Sequence, residues 1–271
     1  MSDSQLLEHL IAAAAEAGRA IHAIYQRGFD VRLKEDRSPI TDADQAAEEI
    51  ILARLGACAS GVAIVAEERA ASEGLPREAA GEFFLVDPLD GTKEFIERRG
   101  DFTVNIALVR AGAPVLGVVY APANARLFAG DVRAGLAWRS AQDPQHVEAA
   151  PRERIRVREA PAGGLTVVAS RSHRTPETDA YLAAYRVAEL VSVGSSLKFC
   201  LLAEGAADLY PRLGTTMEWD TAAGHAVLSA AGGAVLAPDG APLRYGKPQF
   251  RNSWFVARGA ALPVQPIPAP R

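Results

Sequence analysis

The feature that most restricts the fold is an apolar run that ends in acids. Residues 83–86 read FFLV, and residues 87–92 follow at once as DPLDGT. A short apolar run bounded by polar residues is typical of a strand that is buried on both faces. The chain therefore needs a sheet that is covered on both sides, with polar groups gathered where this strand ends.

Helix and strand patterns alternate along the rest of the chain. An amphipathic helix occupies the first 28 residues or so, and a second begins near Asp42 with Thr41 as its N-cap. Strand patterns then form a meander, and from Leu165 onward strands alternate with helices, which indicates an α/β lobe. We expect an α+β lobe over residues 1–150, an α/β lobe over 151–262 and a flexible, proline-rich tail over 263–271.

Composition excludes several classes of protein. A net charge of −4 over 271 residues argues against a nucleic acid polymer as partner. Both cysteines, Cys58 and Cys200, lie in apolar segments and predict buried thiols without a disulfide framework. The acidic N-terminal helix does not resemble a signal peptide, and no stable membrane anchor is recognised. We expect a cytoplasmic protein and leave open a peripheral contact with the inner membrane.

Carboxylates recur where predicted strands end and helices begin. They are Asp44, Glu67, Asp87, Asp90 and Asp220. Each alone has an ordinary explanation, as a helix-capping acid or as part of a solvated turn. In α/β proteins, however, ligands bind outside the carboxyl ends of strands, so these distant positions are able to converge on one site.

The letters DGT at residues 90–92 favour a ligand site over a plain turn. A glycine lets the backbone approach a ligand, and the free N–H groups at a helix start favour an anion such as phosphate. Clustered carboxylates without cysteine or histidine at metal spacing favour Mg²⁺ over zinc. We predict that Glu67, Asp87, Asp90, Asp220 and a carbonyl near Leu89 hold about two Mg²⁺, and that Asp44 with Thr92 orients or deprotonates water.

An aspartyl nucleophile is a rival hypothesis for these acids. Phosphatases that form a phosphoaspartate use the pattern D-x-D-G-T, whereas this chain has D-x-x-D-G-T with a proline after the first acid. The extra residue changes which side chains point together. We therefore favour direct attack of an activated water on the phosphate.

Three ordered motifs resemble a known superfamily. They are EE after a strand, DPLDGTKEF and WDTAAGHAV. These regions are similar to the signatures of the Mg²⁺-dependent, Li⁺-sensitive phosphomonoesterases that include inositol monophosphatase and fructose-1,6-bisphosphatase. The further segments DFTVNIAL, GVVYAP, SRSH, GSSLKFC and AEGAADLYPR resemble the CysQ-type 3′(2′),5′-bisphosphate nucleotidases. The resemblance runs from about Ser38 to Gly233.

The resemblance implies a fold and a set of roles. The fold would be a layered α-β-α-β-α sandwich. Two or three Mg²⁺, replaceable by inhibitory Li⁺, would be held by the five predicted groups, with Asp44 and Thr92 as the water-activating pair. Gly91 and Thr92 would contact the scissile phosphate through backbone N–H groups. The nucleotide side would include Ser172, His173, Gly194 and Lys198, with Arg212 as a further candidate; for Lys198 a surface position stays open.

The implied reaction is hydrolysis of a small nucleotide bisphosphate, adenosine 3′,5′-bisphosphate, to AMP and phosphate by a monomer or homodimer. An inositol monophosphatase or sugar bisphosphatase is the alternative enzyme, since the same metal core accepts different alcohols. A non-catalytic nucleotide sensor is the alternative from another class. A sensor would be expected to lack a metal ligand or a water-activating residue, and this sequence has all of them.

Overall fold

The computed structural model describes residues 1–34, 37–76, 81–146, 151–170, 175–260 and 262–267. A small hairpin (β1, Val31–Leu33; β2, Pro39–Thr41) precedes a seven-stranded sheet in which β3 and β4 are parallel and all later neighbours are antiparallel. The strands of this first sheet follow each other in chain order: β3 Ala63–Ala66, β4 Glu82–Asp90, β5 Thr103–Arg110, β6 Ala113–Ala121, β7 Arg126–Asp131, β8 Leu136–Ala141 and β9 Arg152–Arg154.

Both faces of the first sheet are covered, as the apolar run predicted. Phe84 and Val86 pack in the cluster that contains helices α1 (Asp3–Arg27) and α2 (Asp42–Cys58). Phe83 and Leu85 point the other way into a cluster with the second half of the chain. Alternate side chains of residues 83–86 therefore enter two different cores, and the next polar residue follows only towards the carboxyl end of the strand.

The second sheet has five strands in the order β11-β10-β12-β14-β13. Its strands are β10 Leu165–Ser170, β11 Val187–Val193, β12 Leu209–Arg212, β13 Ala234–Leu236 and β14 Phe255–Arg258. Helices α6 (Leu197–Ala203) and α7 (Ala222–Ala230) share one core cluster with residues of both sheets. Helix α5 (Pro176–Leu182) packs on the opposite face of the second sheet. The layers are α-β-α-β-α, and the expected sandwich is confirmed.

Close backbone approach holds the middle layer against the first sheet. A Cβ placed on Gly117 of β6 would lie 2.4 Å from the Ala223 carbonyl oxygen of α7. No side chain fits there, so glycine at this position sets the distance between α7 and the sheet. The residues just before α7 are thereby brought over the carboxyl end of β4.

The predicted boundaries need two adjustments. Strand β9 pairs with β8, so the first sheet extends to Arg154, beyond the boundary proposed at residue 150. The tail predicted to be flexible from residue 263 packs as far as Ile267, which is buried in the core cluster around α5. Gln265 donates its backbone N–H to the Tyr185 hydroxyl and its carbonyl accepts from Tyr181. Proline keeps this segment out of the sheet but does not prevent it from packing on a helix.

Helices α5 and α6 are short, with seven residues each. No helix within the described ranges has the combination of length and apolar character that crossing a bilayer requires.

Candidate active site

A cavity of about 570 Å³ collects the predicted site residues from most of the chain. Four of its lining carboxylates, here called the acidic group, are the predicted metal ligands Glu67, Asp87, Asp90 and Asp220. Two of its lining cations, Lys198 and Arg212, are candidate substrate contacts and are here called the cationic pair. Segments that are far apart in sequence therefore converge where the strands of the first sheet end, as the topology predicted.

A bulge at the end of β4 explains the D-x-x-D spacing. Asp87 pairs with Asn105 of β5 and Asp90 pairs with Thr103, so two residues on β4 face a single one on its partner. In a regular strand, residues three apart point to opposite faces, and the extra residue brings them to the same face. Pro88 fits at this position because the bulge needs no ladder donor there.

Three members of the acidic group lie close enough to share a cation. Glu67 begins α3 (Glu67–Glu73), Asp87 lies at the end of β4, and Asp220 precedes α7. Each offers a carboxylate oxygen, and these oxygens all lie within 4.8 Å of one another. Burial, followed by repulsion from the other carboxylates, raises the pKa of Asp87 and of Asp220 well above the ordinary value.

Asp90 lies beside this trio, between it and the cationic pair. Burial raises its pKa to about 6, even though the Lys198 ammonium lowers it. Its Oδ2 accepts a long hydrogen bond, 3.5 Å, from Asn105 Nδ2. These four carboxylates outnumber the Lys34 and Lys198 ammonium groups beside them, so a further cation would stabilise them. The residues present therefore fit a hard, oxygen-seeking divalent ion such as Mg²⁺.

Asp44 both caps a helix and contacts the predicted phosphate loop. Its Oδ2 accepts from the Thr41 backbone N–H at 2.8 Å and from the Thr41 hydroxyl at 2.7 Å, which forms the capping box of α2. Its Oδ1 lies 3.2 Å from the Thr92 hydroxyl. Burial raises the pKa of Asp44, although the bonds from Thr41 lower it. Asp44 is therefore both a helix cap and a neighbour of Thr92, and the capping role does not exclude a role in orienting water.

Thr92 has two acceptors for a single proton. Its hydroxyl lies 3.3 Å from the Leu89 carbonyl oxygen as well as 3.2 Å from Asp44. If the carbonyl of Leu89 binds a cation, the Thr92 proton remains for Asp44. The hydroxyl then keeps its lone pairs for a water molecule.

The left-handed conformation of Gly91 starts the phosphate loop. Gly91 has φ of +92° and precedes α4 (Thr92–Ile96), and a Cβ at this position would lie 3.1 Å from the Asp101 carbonyl oxygen. Glycine alone adopts this conformation without strain and fits the space. The predicted helix start is confirmed, although the helix is only five residues long.

Lys198 is a buried cavity residue. It is 5 % exposed, so a surface position is excluded. Its ammonium donates to the carbonyls of Val193, at 3.3 Å, and Ser195. Burial lowers its pKa to about 8, while Asp90 raises it. Gly194 lies in the turn that Lys198 holds, and a Cβ there would lie 2.8 Å from the Asp101 carbonyl oxygen.

Arg212 keeps a donor unused. Its side chain is buried at the end of β12, and one terminal nitrogen donates to the Thr215 carbonyl at 3.0 Å. Its Nε is buried and has no hydrogen-bond partner among the residues that the structure describes. A buried unsatisfied donor on a cavity wall indicates that a ligand acceptor completes the site. Ser172 and His173, the other predicted nucleotide contacts, lie outside the described residues.

Lys34 was missed by the sequence reasoning. Its ammonium lies 2.8 Å from Glu67 Oε1 and 2.7 Å from Glu68 Oε1. Burial by itself would lower the pKa of Lys34, but the two carboxylates raise it above the ordinary value. Lys34 directly follows the first strand of the hairpin, and no local pattern marks it as a neighbour of Glu67.

Glu48 was also missed, although a signal for it exists. Its Oε2 accepts from the Glu68 N–H at 2.9 Å and its Oε1 from the Arg69 N–H at 2.7 Å. Ala66, the residue before α3, has no side chain for capping, so Glu48 caps this helix from α2. Glu48 follows Asp44 by four residues on the same helix face, a spacing that the sequence shows.

Comparison with known proteins identifies the family. Residues 2–258 match the model of the inositol monophosphatase family. The chain is 45 % identical over 253 residues to the 3′(2′),5′-bisphosphate nucleotidase CysQ of Escherichia coli K12, covering 92 % of this chain and 98 % of that protein. The chain belongs to the inositol monophosphatase family.

Solved structures agree with this assignment. CysQ from Bacteroides thetaiotaomicron, a bacterial member of the same family, superposes with a TM-score of 0.78 at 40 % identity, covering 95 % of this chain and 98 % of that one. Inositol monophosphatase from Anabaena superposes with a TM-score of 0.73 at 25 % identity, with coverages of 95 % and 92 %. The CysQ-type resemblance seen in the motifs is therefore confirmed.

Proposed function

We propose that this protein is a 3′(2′),5′-bisphosphate nucleotidase that hydrolyses adenosine 3′,5′-bisphosphate to AMP and phosphate. The observation that carries the proposal is the presence in one cavity of a partly buried acidic group and a buried cationic pair. The first suits a metal-dependent phosphatase, and the second suits a substrate with another phosphate. The CysQ relatives, 40–45 % identical over most of the chain, support the same activity.

The metal-binding residues in this proposal are Glu67, Asp87, Asp90, Asp220 and the carbonyl of Leu89. When bound there, Mg²⁺ would neutralise developing negative charge on the phosphate and make water more acidic. We propose two such ions, with Li⁺ as an inhibitor that takes the place of one. The donor set supports this choice because it consists of oxygen atoms only, without histidine or cysteine.

The attacking water is oriented by Thr92 and Asp44. The Thr92 hydroxyl donates its proton to Asp44 and offers a lone pair to the water, which fixes the direction of attack. Asp44 is held rigidly by its two bonds from Thr41, so it receives a proton without moving. The water oxygen forms a bond to phosphorus and becomes part of the released phosphate, the bond from phosphorus to the ribose oxygen breaks, and the ribose oxygen takes a proton from solvent to become the hydroxyl of AMP.

The backbone N–H groups of Gly91 and Thr92 bind the scissile phosphate in this proposal. The cationic pair binds the phosphate that stays on AMP. Lys198 is oriented by two carbonyls, and the unused Nε–H of Arg212 supplies a donor that an anion completes. A monophosphate such as inositol 1-phosphate has no second phosphate to bind the cationic pair. It should therefore bind more weakly than the nucleotide bisphosphate, which is the basis of selectivity.

The test is release of phosphate by the purified protein with Mg²⁺ from adenosine 3′,5′-bisphosphate, inositol 1-phosphate and fructose 1,6-bisphosphate, each with and without Li⁺. We expect a higher kcat/KM for the nucleotide and inhibition by Li⁺. A preference for inositol phosphate or for the sugar would keep the metal chemistry and overturn the substrate. Absence of turnover on all three, with retained nucleotide binding, would favour the sensor.

A further inference from the structure

Glu218 is a buried acid that the reaction above does not use. Its side chain is 0 % exposed, and its carboxylate does not line the cavity. Oε2 accepts from the Gly246 backbone N–H at 2.7 Å, and Oε1 accepts from the Lys247 backbone N–H at 3.0 Å. The Lys247 ammonium forms an ion pair with Oε1 at 2.6 Å. A buried carboxylate is costly unless such bonds satisfy it, so its presence here calls for a physical reason.

The backbone of Glu218 is also held on both sides. Its N–H donates to the Phe250 carbonyl at 2.7 Å, and its own carbonyl accepts from the backbone N–H groups of Thr221 at 3.2 Å and Ala222 at 3.0 Å. Glu218 therefore joins the loop around residues 246–250 to the turn that leads into α7. This turn, residues 217–221, is here called the α7 turn.

Asn252 holds the α7 turn from the same loop. Its Nδ2 lies 2.8 Å from the Met217 carbonyl and 3.0 Å from the Thr221 hydroxyl, and its side-chain oxygen accepts from Lys247 at 3.1 Å. Lys247 thus contacts both Glu218 and Asn252, the two residues that bind the α7 turn to this loop. The side-chain contacts form one network rather than separate ion pairs.

The α7 turn carries Asp220. The backbone N–H of Met217 donates to Asp220 Oδ2 at 2.8 Å, which sets the orientation of this carboxylate within the acidic group. Met217 is directly bonded to Glu218 and is held by Asn252. The loop at residues 246–252 is therefore linked to Asp220 through Met217. Glu218 and Asn252 hold Met217 in place, and the Met217 N–H orients the Asp220 carboxylate.

We propose that Glu218, paired with Lys247, is a positioning residue that holds Asp220 at the geometry for cation binding. The proposal rests on the proposed function only in so far as Asp220 is a metal ligand. Glu218 touches neither substrate nor cation. Its loss therefore lowers the affinity for the cation and leaves turnover at saturating cation largely intact.

The test is direct titration of the metal-free protein with Mn²⁺, followed by electron paramagnetic resonance in the absence of substrate. In Glu218→Gln, the amide brings a donor against the backbone N–H groups and removes the charge that pairs with Lys247. We expect Mn²⁺ binding to weaken about 10-fold to 100-fold, the range for groups that orient metal ligands. We also expect kcat to recover when the Mg²⁺ concentration is raised.

Glu204→Gln is the matched control. Glu204 is another buried glutamate, with ion pairs to Arg126 at 2.6 Å and Arg139 at 2.7 Å, and it does not line the cavity. Its substitution should leave the Mn²⁺ affinity at the wild-type value. Equal weakening in both variants, or unchanged binding in Glu218→Gln, overturns the proposal.

Lys247→Met keeps the proposal testable if Glu218→Gln fails to fold. The Lys247 side chain is 28 % exposed, so its ammonium is removable at smaller cost to the fold. We expect a smaller weakening of Mn²⁺ binding in the same direction, and unchanged binding would contradict the pairing. Wild-type protein that binds Mn²⁺ without hydrolysing the nucleotide would refute the proposed function alone, because these titrations contain no substrate.

Discussion

The acidic group and the cationic pair share one cavity but are stabilised in opposite ways. In the acidic group, burial and repulsion from neighbouring carboxylates raise the pKa of Asp87 and of Asp220, while Glu67 is paired with Lys34. In the cationic pair, Lys198 donates to two carbonyls and Arg212 to one, and the buried Nε–H of Arg212 has no partner among the described residues. The acidic group therefore favours a bound cation, whereas the cationic pair favours a bound anion.

Asp90 connects the two regions. It is repelled by Glu67 and attracted by Lys198, and its pKa of about 6 reflects burial together with both interactions. In the proposed function, the acidic group carries the metal chemistry and the cationic pair carries selectivity. Variants in the two regions should accordingly affect different kinetic constants.

Asp90→Asn should have the largest effect, because it removes one charge from the metal site. We expect kcat/KM for the nucleotide to fall about 10³-fold, which corresponds to about 4 kcal/mol of lost transition-state stabilisation. Steady-state kinetics with Mg²⁺ provide the measurement. The control is Asp131→Asn, at the end of β7 and outside this cavity, which should retain activity. Near-normal turnover in Asp90→Asn would remove Asp90 from the metal site.

Thr92→Val should reduce kcat about 10²-fold, because the hydroxyl that links Asp44 to water is lost, and misoriented general bases cost rates of this order. Thr92→Ser preserves the hydroxyl and should keep most of the activity. Comparing the two variants at saturating Mg²⁺ separates the hydroxyl from the methyl group. Equal kcat values for valine and serine would contradict the role of Thr92 in orienting water.

Lys198→Met should act on selectivity. We expect KM for adenosine 3′,5′-bisphosphate to rise about 10-fold to 100-fold, the equivalent of one or two charge-assisted hydrogen bonds, with little change for inositol 1-phosphate. Lys93→Met is the control, since Lys93 is an exposed lysine at the rim of the same cavity. A parallel loss on both substrates would assign Lys198 to the metal chemistry instead.

The smallest effect concerns the stability of the metal-free protein. Because burial and repulsion raise the pKa values of Asp87, Asp90 and Asp220, the folded state binds more protons than the unfolded state above about pH 4. The free energy of unfolding should therefore fall as the pH rises through the pKa of Asp90, about 6. Thermal unfolding in chelator at about pH 5 and about pH 8 measures this, and we expect a Tm lower by a few degrees at the higher pH.

Asp90→Asn offers a check on this last prediction. The variant should raise the Tm of the metal-free protein at about pH 8 and flatten its pH dependence, although it abolishes activity. Added Mg²⁺ should stabilise the wild type far more than the variant. A Tm that rises with pH in chelator would contradict the repulsion within the acidic group.

Many of the secondary-structure elements and the candidate cation site could be predicted from the sequence. The apolar run before DPLDGT required a sheet covered on both faces, and the helix caps at Thr41 and Gly91 marked where α2 and α4 begin. The acids at strand ends predicted a site for a hard cation. These features are local, because periodicity and capping depend on residues within a few positions of each other.

Tertiary structure alone decided which distant groups meet. The ion pair of Lys34 with Glu67 and the link of Glu218 to Lys247 join segments that no spacing rule connects, and the burial of Lys198 follows from no local pattern. The tail at Ile267 packs although its prolines suggested otherwise. Such contacts depend on how whole layers pack, because burial and partner atoms come from elements far away in the chain. The sequence therefore determined the elements and the chemistry of the acids, and the fold decided how each charge is oriented and compensated.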